Sequence, residues 1–109
     1  MKLVQRIYYW IEKKFGPYRR PFKYKIVEEF PDKLKKRTVY IERLDGEDYE
    51  ARFMCPFNCQ ETIQINLDND CKPNWWYSVE NNITIHPSIW MREGCRCHYF
   101  LKNGKIKTV

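Results

Sequence analysis

The chain has 109 residues, 43% hydrophobic and 17% aromatic, with only four glycines. That composition argues against disorder and fits one compact domain. Lys and Arg number 20 against 14 Asp and Glu, a formal net charge of +6, and no stretch approaches the roughly 20 apolar residues that span a bilayer.

Residues 2–15 carry Leu3, Val4, Ile7, Tyr8, Trp10, Ile11 and Phe15 at mostly helical spacing, so the sequence predicts an amphipathic helix. Gly16-Pro17 ends it. The helix either packs on the domain or binds a partner. Charged residues run through the first 16 positions, which no secretory apolar core tolerates. The expected location is the cytoplasm, with no membrane partner. The expected division is a helical segment over 1–17 and a zinc-binding β domain over 18–109.

A basic connector follows, holding Arg19, Arg20, Lys23 and Lys25 after Lys13 and Lys14, with one short extended piece at 22–27. These cations, with Lys33, Lys35, Lys36 and Arg37, read either as a solvated surface or as a docking face for an acidic protein or nucleic acid. Nucleic acid ranks last, because no reading helix or aromatic sheet motif accompanies the charge.

Strand signals dominate from there. Residues 38–44 and 49–54 flank Asp45-Gly46, a hairpin turn dipeptide. Residues 62–67 alternate, with Ile63, Ile65 and Leu67 on one face. Residues 75–79 and 83–85 flank Asn81-Asn82, which also suits a tight turn. Residues 98–101 and 105–109 join across Asn103-Gly104. The expected fold class is mostly β (α+β), short antiparallel hairpins around a zinc-ribbon-like Cys/His site with one N-terminal helix.

Five cysteines cannot all pair within one chain, and short spacings in a reducing compartment point first to a metal. Cys55 and Cys59 share one turn; Cys95, Cys97 and His98 lie before the last hairpin. Two facing turns of this kind supply the tetrahedral Cys/His set that zinc prefers. Cys97 and His98 are adjacent and would point in opposite directions in extended chain, so both are not expected to hold one ion. The expected site takes Cys55 and Cys59 with two of the three candidates Cys95, Cys97 and His98, with zinc as the cofactor and a structural role, since four protein ligands leave no open position. Iron in the same site, or metal-free buried thiols, are the alternatives. Cys71 stands apart as a lone thiol.

Pro87 is expected to end the strand at 83–85 and to present Ser88 on a rigid turn beside His86. A serine near a histidine can act as an acyl-transfer nucleophile. The ordinary alternative is that Ser88 caps the backbone and His86 is a surface or packed residue.

The blocks Phe53-Met-Cys55-Pro-Phe-Asn-Cys59, Thr84-Ile-His-Pro87-Ser88-Ile89 and Cys95-Arg-Cys97-His98-Tyr99, with Pro31-Asp-Lys-Leu and Trp75-Trp76, resemble a bacterial family of unknown function, DUF6527. The resemblance covers about residues 26 to 109 and leaves the helix outside. Family members commonly carry a further Cys between Cys55 and Cys59 and a Ser where Cys97 stands, which favours Cys55, Cys59, Cys95 and His98 as ligands. The resemblance implies a place beside ubiquitin-like proteins and their activating and conjugating enzymes, as a peptidase or acyl-transfer protein acting on the ubiquitin-like C-terminus. Ser88 would be the nucleophile, with His86 or His98 accepting its proton. A non-catalytic, zinc-stabilised adaptor docking pathway enzymes or another acidic partner is the alternative.

Overall fold

A computed structural model describes residues 3–15, 19–57, 61–92 and 96–109. Helix α1 (Leu3–Phe15) precedes eight strands: β1 (Lys23–Val27), β2 (Thr38–Leu44), β3 (Glu47–Met54), β4 (Thr62–Asn66), β5 (Trp76–Ser78), β6 (Thr84–Trp90), β7 (His98–Lys102) and β8 (Lys105–Thr108). They form two four-stranded sheets in simple order, β1-β2-β3-β4 and β5-β6-β7-β8. Among the described residues the fold is mostly β with one helix, as expected. Among the described residues, no helix is long and apolar enough to cross a membrane.

Two predicted hairpins form for the reason the sequence suggests. Asp45 and Gly46 take φ of 53° and 79°, Asn103 and Gly104 50° and 77°, the paired positive values of a twist-compatible two-residue turn. Gly104 is further constrained, since a Cβ there would stand 2.4 Å from the Asn82 amide nitrogen and 2.9 Å from the Phe22 carbonyl oxygen. Its N–H donates to the Ile83 carbonyl and its carbonyl accepts from the Phe22 N–H. The turn thereby ties the two sheets together.

Three expectations need correction. The Asn81-Asn82 segment is no tight turn: β5 and β6 pair from Ser78 opposite Thr84, and Asn82 instead donates its side-chain amide to the Phe22 carbonyl. Pro87 does not end its strand. β6 runs on to Trp90 through a register shift between Ile85 and Ile89, and a bulge is where a strand can accommodate a residue without an N–H. The first strand pair is parallel, β1 against β2, where short antiparallel hairpins were expected.

Core side chains of both sheets form one cluster, including Val39, Ile41, Phe53, Ile63, Ile65, Ile85, Ile89, Tyr99 and Leu101. The alternation at Ile63, Ile65 and Leu67 is buried as predicted.

Helix α1 packs with its polar side inward. Leu3 is 72% exposed and Trp10 53%, and Val4, Ile7 and Phe15 are also exposed, whereas Glu12 is 1% exposed and Gln5 is buried. The Glu12 carboxylate bonds the guanidinium groups of Arg19 and Arg37, the latter at 2.9 Å. Arg37 also donates to the Arg20 carbonyl and lies over the Phe22 ring. Tyr9 packs on Phe57 and donates its hydroxyl to the Val109 carbonyl. A charge removed from water requires its counter-ion, and satisfying Glu12 takes precedence over burying the apolar stripe.

Candidate active site

The continuation of β6 past Pro87 places Ser88 inside the second sheet, beside β7. Trp90 pairs with His98 across the two strands, and the diagonal neighbour Ser88 then lies within reach of the imidazole. Ser88 Oγ and His98 Nε2 are 2.8 Å apart. With Nε2 unprotonated the hydroxyl donates to it, the geometry in which a serine is activated by a neighbouring base.

Indole rings hold both partners. Trp75 Nε1–H donates to the Ser88 carbonyl at 3.3 Å, fixing the backbone beneath the hydroxyl. The His98 imidazole stacks on Trp90 with ring centroids 5.2 Å apart and 18° between planes. Arg92 covers the Trp90 ring, its guanidinium carbon 4.7 Å from the centroid. The His98 carbonyl accepts from the Val109 N–H, which steadies this strand as well.

His86 stands elsewhere. It pairs with Trp76 on β5 and stacks on that ring at 5.8 Å. Of the two histidines weighed as proton acceptors for Ser88, the structure brings His98 to the hydroxyl. The signal for that choice was present in the sequence only as the hairpin order that sets β6 beside β7.

A half-buried polar cluster braces the two sheets nearby. Arg43 of β2 donates to both carboxylate oxygens of Asp48 on β3. The Tyr77 hydroxyl of β5 donates to Asp48 and accepts from Arg43. Burial raises the Asp48 carboxyl, but the hydrogen bonds from Arg43 and Tyr77, with the Arg43 charge, outweigh it and hold the group below its ordinary range. Tyr77 is pushed up by burial and by its bond to Asp48.

Of the expected zinc ligands, Cys59 and Cys95 lie outside the described residues. Cys55 and Cys97 are both buried, Cys97 completely. The Cys55 N–H donates to the Glu61 carbonyl, and the Cys97 carbonyl accepts from the Met91 N–H. His98 directs Nε2 at Ser88 instead. Among the described residues no three His, Cys, Asp or Glu gather as a metal-binding group. Cys71 is an exposed thiol raised above its ordinary range chiefly by the Asp68 carboxylate, which is the opposite of activation.

No curated protein and no solved structure matches the chain. The family that does match is not called DUF6527, so of that resemblance the coarser content stands, a family of bacterial ubiquitin-like pathways. The match spans residues 26–109, leaving α1 outside but including Ser88 and His98, and by it the chain belongs to BubE, the bacterial ubiquitination-like system serine protease family.

Proposed function

We propose that this chain is a serine peptidase acting on the C-terminal tail of a ubiquitin-like protein, with Ser88 as nucleophile and His98 as general base. The observation that carries the reading is the 2.8 Å contact between Ser88 Oγ and His98 Nε2, inside a chain of a serine protease family. His98 takes the hydroxyl proton as Oγ attacks the scissile carbonyl. The tetrahedral adduct collapses to an acyl-enzyme as the imidazolium returns the proton to the departing amine. Water, deprotonated by the same imidazole, then releases the acid and regenerates Ser88. His86, stacked on Trp76, forms part of the surface over which the tail passes.

The test is cleavage of a ubiquitin-like precursor carrying a C-terminal extension. Ser88→Ala and His98→Ala are expected to lose at least about 100-fold in rate, and His86→Ala far less. A Ser88→Ala protein that cleaves at full rate would sink the mechanism.

Zinc completes the proposal as a structural ion. Cys55 and Cys97, with Cys59 and Cys95, would hold it, leaving His98 to Ser88. A closed thiolate shell would supply stability to the two loops and no chemistry to the reaction.

The outward apolar face of α1 favours a second reading, a docking adaptor for pathway enzymes. Exposed contiguous apolar surface on a small domain marks an interaction site. Purified protein that binds an activating or conjugating enzyme through α1 yet never alters a precursor would put this reading first.

A further inference from the structure

Beyond Ser88 and His98 the last two strands of the second sheet carry Lys102, Lys105 and Lys107. Alternation on β7 puts His98, Phe100 and Lys102 on one face. A cavity of about 320 Å³ is lined by His86 on β6, by Phe100 and Lys102, two and four positions along β7 from His98, and by Lys107 on β8. A second cavity of about 640 Å³ shares Lys102 and Lys107 with it and continues to Lys105 and Lys13. Through the shared lysines the two are continuous and carry four ammonium groups, of which Lys105 also donates to the Arg19 carbonyl. Their single carboxylate, Glu12, is buried and bonded to Arg19 and Arg37, so it offers no counter-charge to a ligand.

On the other side of the dyad the charge reverses. The cavity walled by Trp75 and Trp76 holds Glu47, Asp68 and Asp70, with Asp48 there already paired with Arg43, and Trp75 is the residue that donates to the Ser88 carbonyl. A chain laid across Ser88 therefore passes from a negative to a positive field.

We propose that the groove from Phe100 to Lys105 binds an acidic segment of the substrate chain, an extended peptide with carboxylates flanking an apolar residue that rests on Phe100. Lys102 lies four residue steps along the strand from His98, about 13 Å. An extended ligand would therefore place its first carboxylate about four positions from the scissile bond. Complementary charge of this kind sets orientation and partner choice. The inference rests on the peptidase reading for the nature of its ligand, and its experiment is a binding measurement that needs no turnover.

The Ser88→Ala protein is titrated into two rhodamine-labelled hexapeptides, one of alternating Leu and Glu, one of alternating Leu and Lys, with fluorescence anisotropy as the readout. The Glu peptide is expected to bind about tenfold tighter, in a salt-dependent way. Lys102→Glu with Lys107→Glu is expected to reverse the preference. Lys33→Glu with Lys35→Glu changes net charge equally outside the groove and is expected to move affinity less than about twofold. A thermal melt accompanies each variant, and Lys102→Gln with Lys107→Gln replaces the charge reversal if that protein unfolds; the preference is then expected to vanish. Equal binding of both peptides, or equal losses in the groove and control variants, would overturn the proposal. Reversal of preference in a protein whose wild type cleaves no precursor would uphold the groove and defeat the peptidase reading alone.

Discussion

The imidazole of His98 lies almost flat on the indole of Trp90, centroids 5.2 Å apart and planes 18° apart, while its Nε2 meets Ser88. The described contacts that orient this histidine come from an aromatic ring and from its strand, where serine proteases commonly use a carboxylate. Trp90 is a positioning residue on this geometry. Trp90→Ala is expected to lower kcat about tenfold with KM changed by less than about threefold, and Trp90→Phe to recover most of the loss. A rise in KM at unchanged kcat would instead make Trp90 a substrate contact.

Glu12 predicts a stability effect that the helical periodicity hides. Glu12→Gln leaves Arg37 buried among Phe22 and the Arg20 carbonyl without its counter-charge. The expected cost is about 3 kcal/mol, a fall in Tm of roughly 10 °C or more. Ile7→Ser, on the exposed side of α1, is expected to change stability by less than about 0.5 kcal/mol. Thermal unfolding of both variants checks the inverted packing, and equal destabilisation would contradict it.

These two predictions also mark what the sequence could reveal. Asp45-Gly46 and Asn103-Gly104 were legible because their turn type demands positive φ, and these residues supply it locally. Ile63 and Ile65 were legible because alternation is a local signal of a one-sided strand. The inward side of α1 was not, since Glu12 meets Arg37 at a separation of 25 residues and no local pattern encodes that pair. The parallel pairing of β1 with β2 depends on a crossover without a helix, and it left no periodic signal. At the site, the motif around Ser88 was visible, but its partner depended on register. His86 is nearer in sequence and turned to Trp76, whereas His98 arrives from the adjacent strand.

The Asp48 cluster predicts an acid-sensitive brace. Its carboxyl sits below the ordinary range in the folded chain, against an unfolded value of about 3.9. Such a group contributes its full stability above the unfolded value and loses it as pH falls through the lower folded value. The Tm difference between wild type and Asp48→Asn is therefore expected to be constant from about pH 5 to 8 and to shrink below about pH 4. Tyr77 acts at the other end. Raised from 10.0, it contributes fully below that value, and the contribution is lost as pH rises through the folded one. A difference between wild type and variant that widened in acid would show that Asp48 is not held as the carboxylate.

Metal content separates the two roles that the sequence assigned to His98. Protein purified without added metal is expected to carry one zinc per chain by elemental analysis. Cys55→Ser and Cys97→Ser are expected to lose it together with thermal stability, because the buried thiolates would hold the loops through the ion. His98→Ala is expected to keep the zinc and lose cleavage, since its Nε2 faces Ser88. Loss of zinc in His98→Ala with Cys97→Ser unaffected would return the histidine to the metal and take the general base away from the proposed mechanism. Well-folded wild-type protein without metal would make Cys55 and Cys97 core thiols, and their substitution would then cost only what packing removes.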